Sequence, residues 1–157
     1  MKTKQALTKQ MVLTFLPRHK LMAVATYGKH PWIATVYYTF DEKLNIYFLS
    51  SPNTLHAKSI VRNPKVAAAI ADSDQDINKP KLGLQLYGNA EQISDFEKVR
   101  YALKLWKTNL GVVDLKLTTK VATGSMFKIV PKRIKLFDQE LFKVADGEEP
   151  VLEQNQV

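Results

Sequence analysis

The strongest constraint on the fold lies in residues 32–50, where WIATVYYTF (32–40) and LNIYFLS (44–50) flank Asp41-Glu42-Lys43. Two runs rich in β-branched and aromatic residues, joined by three charged residues, predict an antiparallel hairpin. In the first run Trp32, Ala34, Val36, Tyr38 and Phe40 share one face, and Ile33, Thr35, Tyr37 and Thr39 share the other. LMAVAT (21–26) predicts a short buried strand before the hairpin, turned by Gly28. KVAAAIA (65–71), LGLQLYGNAEQI (82–93) and SMFKIVPKRIKLFD (125–138) predict the remaining strands. Gly88 marks a bulge or a close approach in the second of these, and Pro131 bends the third into two segments.

Helices punctuate this pattern. Leu7, Met11, Val12, Phe15 and Leu16 form an apolar stripe at helical spacing, ended by Pro17. Ser51 followed by Pro52 predicts an N-cap and first helical residue, with the helix stopped at Asn63-Pro64. SDFE (94–97) predicts a capping box between Ser94 and Glu97. Phe96, Val99, Leu103, Trp106 and Leu110 follow on one face, and Gly111 is placed to end the helix. Residues 112–122 are compatible with a second short helix or a loop, and 72–81 with a loop. The order of elements predicts an α+β fold, an antiparallel barrel with flanking helices, rather than a doubly wound parallel sheet. A single domain is expected over 1–144, and the acidic tail 145–157 is expected to fray.

The 157 residues, 45% hydrophobic, suffice for one core. No run approaches the roughly 20 apolar residues of a membrane span, and MKTKQALTKQ lacks a secretory apolar region, so a soluble cytoplasmic protein is expected. Absence of cysteine excludes disulfides, thiolate nucleophiles and zinc–cysteine sites. The net charge is +8, and residues 1–20 hold Lys2, Lys4, Lys9, Arg18 and Lys20 without an acid. That segment reads as a solvated helix face, with nucleic-acid binding as the alternative. The lysines and arginines within 98–120 carry no RNA-reading signature. The glycines form no phosphate loop, and Gly124-Ser125 is not a nucleophile elbow. Asp72, Asp74 and Asp76 begin like a calcium loop, but Ile77 and Gly83 stand where glycine and glutamate are required. His19, His30 and His56 lie on separate elements, so no metal site is expected.

The chemistry-bearing stretch is FLSSPNTLHAKSIVRNP (48–64). Hydroxyls at Ser50, Ser51 and Thr54 surround a helix start, and Lys58 follows Thr54 by one turn. Free N–H groups, hydroxyls and an ammonium together suit an anion such as phosphate. The alternative is an ordinary N-cap beside a solvated lysine.

VATYGKHPWIATVYYTFDEKLNIYFLSS, HAKSIVRNPKVAAAI and LQLYGNAEQIS, in that order and spacing, resemble the pyridoxamine 5′-phosphate oxidase-like family of FMN-binding split barrels. The resemblance covers about residues 10 to 140 and is nearest to the small bacterial branch with a Thr-x-His-Ala junction, here Thr54 to Ala57. It implies a homodimer with FMN at the subunit interface. Ala34, Thr35, Val36, Tyr37 and Thr39 would lie along the flavin, largely through backbone groups. Leu49, Ser50, Thr54, His56 and Lys58 would hold the ribityl phosphate, and Gln85 would face the ring. Where true oxidases carry an early arginine and a late lysine on the first strand, this chain has Ala34 and Thr39. Their Ser-Arg-Lys helix start becomes Thr54-Leu55-His56, and their glutamine falls at Gly83 in a gapless match. The arginine-bearing substrate segment has no counterpart, so the expected activity is a flavin oxidoreductase of a small substrate other than the vitamin B6 phosphates. Haem or deazaflavin in the same barrel is the alternative ligand.

Overall fold

The structure, a computed structural model, describes residues 4–111, 114 and 116–154. Lys2 of the basic segment, part of the 112–122 stretch and the last three tail residues lie outside the described residues. Helix α1 (Lys9–Phe15) is capped by Thr8, and a 3₁₀ turn (Leu16–Arg18) carries the chain through Pro17. Strands β1 (Leu21–Tyr27), β2 (Pro31–Tyr37), β3 (Thr39–Phe40) and β4 (Ile46–Leu49) follow, then α2 (Leu55–Arg62), β5 (Lys65–Ala71) and β6 (Leu82–Ile93). Helices α3 (Phe96–Leu110) and α4 (Thr119–Ala122) precede β7 (Met126–Asp138) and β8 (Val151–Glu153).

All eight strands join one antiparallel sheet in the order β2-β1-β5-β6-β7-β4-β3, with β8 on β7. The sheet ends, β2 and β3, are consecutive in the chain and separated only by Tyr38. The predicted strand 32–40 is thus two strands: β2 pairs with β1, and only β3 forms the hairpin with β4. At the crossing, the Tyr38 N–H donates to the Lys20 carbonyl at 3.0 Å. Its hydroxyl donates to the Leu16 carbonyl at 2.6 Å. The barrel is closed by chain continuity here rather than by a ladder.

Alternation on β1, β5 and β6 sends Met22, Val24, Val66, Ala68, Ile70, Leu84 and Leu86 into the main core, with Phe48, Phe127 and Ile134. Phe48 and Phe127 stack with ring centres 5.3 Å apart. A second core lies outside the barrel, where α3 and α4 cover Tyr47, Ile93 and Met126 with Val99, Ala102 and Ala122. Strand β4 is consequently buried on both faces.

Asp41 organises the β3–β4 turn. Its carboxylate accepts from the Lys43 and Asn45 backbone N–H groups, the Asn45 side-chain amide and the Tyr47 hydroxyl, at 2.9–3.0 Å. That lattice holds buried Leu44 at φ 68°, a left-handed conformation unusual for leucine.

Three further expectations change. The α3 cap is Asp95, whose carboxylate accepts from Lys98 N–H at 2.9 Å, so the Ser94–Glu97 box does not form. Two adjacent capping residues compete here, and the carboxylate adds charge that complements the helix N-terminus. Phe96 is accordingly exposed, while Gly111 ends the helix at φ 66° as expected. Strand β7 runs unbroken through Pro131, with Lys132 as an extra residue between the pairs Gly88–Pro131 and Tyr87–Arg133. Gly88 is needed at this bulge, because a Cβ would sit 2.2 Å from the Val130 carbonyl oxygen. Pro131 lies where the partner of β7 changes from β4 (to Ile129) to β8 (from Arg133), so its missing N–H costs no ladder bond on that side. Finally, the tail does not fray throughout: β8 pairs with β7, and Arg133 and Glu153 form a salt bridge across that pair. The acidic composition that suggested fraying is matched by basic residues on β7.

Replacing Asp41 by alanine strands the Tyr47 hydroxyl and the turn amides and should lower stability by about 2–3 kcal/mol in chemical denaturation. Gly88→Ala should cost about 1–3 kcal/mol by the same measurement, since backbone rather than a flexible side chain must yield.

Candidate functional site

The junction between β4 and α2 is built by a turn followed by a cap. Ser51 to Thr54 close a turn with Pro52 at its second position, the Thr54 N–H donating to the Ser51 carbonyl at 3.1 Å. The helix therefore starts at Leu55, and Thr54 rather than Ser51 is its cap. Serine–proline suits a turn as well as a helix start, and the second hydroxyl three residues later decides between them. Thr54 Oγ1 accepts from the Ala57 N–H at 3.3 Å and donates to the Ser51 carbonyl at 2.8 Å.

His56, 9% exposed, is turned back from the first turn of α2 toward the strand end. Its Nε2 shares a 2.6 Å hydrogen bond with Ser50 Oγ and lies 3.4 Å from Thr54 Oγ1. The ring sits beside Phe48. Burial pushes the imidazole pKa below its usual 6.5, so His56 is neutral at pH 7. Ser50 is anchored by its own N–H to the Ser125 carbonyl at 2.9 Å. The structure thus gathers Ser50, Thr54 and His56, next to Leu49, into one hydroxyl-rich cluster with no fixed cation among them.

The other predicted positions lie elsewhere. On β2, Ala34 and Val36 pair with the inward-facing Val24 and Met22, whereas Thr35 and Tyr37 pair with Ala23 and Leu21 on the outer face. β2 is a sheet edge, so among the described residues its backbone on the side away from β1 has no strand partner. The Thr39 hydroxyl is fully buried, donating to the Leu105 carbonyl at 3.2 Å and accepting from the Asn109 amide at 2.7 Å. It ties β3 to α3. Lys58 is exposed and points into a groove with Lys29, His30, Trp32 and Arg62, away from the cluster.

Gln85 stands on the outer face, between Ala69 of β5 and Lys135 of β7. Gly83 leaves no space for a side chain, because a Cβ would meet the Phe137 ring at 2.0 Å. Gln85 belongs to a trough of about 640 Å³ floored by Ala23, Ala25, Ala67 and Ala69. Ile33, Tyr87 and the tail residues Glu149 and Val151 form its walls. Lys135 and Glu149 lie 3.9 Å apart at one end. The trough was not anticipated, although alanines at alternating positions of 23–25 and 67–69 are its sequence signal. Among the described residues no group of three potential metal ligands converges, and no helix is long and apolar enough to cross a membrane.

The family model described as pyridoxamine 5′-phosphate oxidase matches residues 8–137. A UPF0306 protein of Yersinia pseudotuberculosis is 28% identical over 116 residues, spanning 64% of this chain and 77% of that protein. Among solved structures, a conserved hypothetical protein of Mycobacterium tuberculosis superposes with TM-score 0.72 at 16% identity, covering 92% of this chain and 93% of its own. A heme binding protein of Mycobacterium smegmatis gives TM-score 0.72 at 16% identity, covering 96% of this chain and 60% of that one. The chain belongs to the pyridoxamine 5′-phosphate oxidase family and has its split-barrel fold.

Proposed function

We propose that the protein is an FMN-binding flavoprotein, active as a homodimer on a small substrate, and that it does not oxidise vitamin B6 phosphates. The observation that carries this reading is the division of the candidate residues between two places. Ser50 is bonded to Ser125 beside the start of β7, whereas Gln85 pairs with Lys135. Lys135 lies ten residues beyond Ser125, roughly 33 Å of extended chain. One flavin would meet both sets most simply if a second copy supplied the other half.

The bare half of the sheet supports the same assembly. Helices α3 and α4 cover the outer side of β4 and β7, but among the described residues no helix covers the outer side of β1, β2 and β5. Leu21, Ile33, Tyr37 and Tyr87 are 47–66% exposed around the alanine floor. Contiguous exposed apolar surface of this kind favours association.

In this reading the unpaired backbone of β2 borders the flavin, Ser50 and Thr54 offer hydroxyls to its ribityl phosphate, and the start of α2 offers its dipole. His56 would be the nearest titratable group. The bound flavin supplies electron transfer, and the chain orients it and limits access of water. Ala34 and Thr39, in place of the cations of true oxidases, argue against a pyridoxal-type phosphate substrate. Haem is the second reading, favoured only by the similar fold of a protein named for binding it.

The absorbance spectrum of the purified protein tests the cofactor: flavin bands, or their appearance with quenched flavin fluorescence on adding FMN, are expected. A Soret band, or an unchanged FMN spectrum, would overturn the proposal. Ala67→Glu puts a charge on the outer face without entering the core, so sedimentation should show monomers, with FMN lost and the fold retained. Phosphate beside His56 would favour the imidazolium, so FMN affinity should rise as pH falls from about 8 to 6.5, where the phosphate stays mostly dianionic. His56→Gln should flatten that dependence in a fluorescence titration.

A further inference from the structure

Half of the chain's net positive charge lies in one short stretch. Residues 96–120 hold Lys98, Arg100, Lys104, Lys107, Lys116 and Lys120 against Glu97 and Asp114, which is +4 of the total +8. All six cations are exposed, and among the described residues only Arg100 has an ion pair, with Glu97 at 3.7 Å. The Asp114 carboxylate is turned inward on its own loop, accepting from the Lys116 backbone N–H at 2.9 Å.

The helices set these charges on one surface. Phe96, Arg100, Lys104 and Lys107 recur every three or four residues and so share a stripe along α3, while Val99, Ala102, Leu103 and Trp106 are buried. Ala122 of α4 packs with Val99 and Ala102, which brings Lys120 and Val121 alongside. Phe96 is 54% exposed, Tyr101 49% and Val121 60%. Glu42, beside Tyr101, bounds the patch toward the β3–β4 turn. Water accounts for lysines placed in this way, but not for three large apolar side chains set among them. Helices α3 and α4 lie over β4 and β7, whereas association is assigned to the face of β1, β2 and β5, so the patch stays open in that assembly.

We propose that the outward face of α3, with the adjoining α4, docks on the surface of an anionic lipid bilayer. Such a surface takes cations at its headgroups and aromatic or aliphatic side chains just beneath them, so it meets both halves of the patch at once. A nucleic-acid backbone would pair the cations and leave Phe96 and Val121 in water. The contact is peripheral and reversible, held by charge and screened by salt. It goes beyond the flavin reading and does not depend on it.

The probe is a sedimentable vesicle of phosphatidylcholine, alone or with about one third phosphatidylglycerol, mixed with the full chain. Binding is expected to the anionic vesicles and not to the neutral ones, falling steeply as salt rises from about 0.05 to about 0.5 M. Arg100→Gln, Lys104→Gln and Lys107→Gln together should weaken it about a hundredfold. Phe96→Ala should weaken it severalfold at low and at high salt, because its share is apolar. These side chains are exposed, so the variants keep the fold. Lys9→Gln, Lys79→Gln and Lys143→Gln remove as much charge toward the other end of β6 and β7, and should leave binding close to that of the parent. Equal binding to neutral vesicles, or none to anionic vesicles at low salt, overturns the proposal. An equal loss in the control triple variant also overturns it, by reducing the effect to net charge, as does Phe96→Ala without effect. So does an oligonucleotide that binds more tightly than the vesicles and displaces the chain from them, which would make the face a nucleic-acid interface.

Discussion

The structure depends on one crossing. A sheet whose first and last strands are neighbours in sequence must pass the chain across the open side of the barrel, and Tyr38 is the residue that does so. Its ring is 1% exposed, its hydroxyl is bonded to the end of the N-terminal helical segment, and its amide to the residue before β1. Burial also raises the phenol pKa well above its usual value, so the hydroxyl keeps its proton and remains a donor. The crossing thereby leaves β2 at one edge of the sheet and β3 at the other, and ties both to the segment that follows α1.

Much of this was legible in the residues. Short apolar runs located β1 and β5, alternation located β6, and Gly111 marked the end of α3. The break at Tyr38 was not legible, because WIATVYYTF has uninterrupted strand character and no glycine or proline to announce a change of partner. Local competition hid two helix starts: Ser94 against Asp95, and Ser51 against Thr54, pairs that hydroxyl and carboxylate chemistry alone does not separate. The C-terminal strand escaped notice because its stability comes from Arg133 and the β7 ladder, far away in sequence. At the junction, the residues near Ser50 were found by pattern, but a neutral His56 could be read only from its burial.

The two faces of the sheet carry different chemistry. The hydroxyl cluster is polar and without permanent charge, the alanine trough is apolar with a polar end, and the groove beside α2 is cationic. The cluster and the groove offer partners for an anion, and the trough offers apolar surface. Two-fold association places distant regions of identical chains side by side, which is how small barrels assemble sites larger than one subunit can enclose.

The bulge opposite Gly88 has a consequence for how such a protein can diversify. It interrupts the longest ladder of the molecule, so the stretch of β7 bound to β4 and the stretch bound to β8 keep separate registers. A length change at the tail end can be absorbed at that joint without shifting the pairings next to α2. The scaffold is in this sense modular along its own strands: one extremity can be recut for a new ligand while the other preserves the alignment on which closure rests.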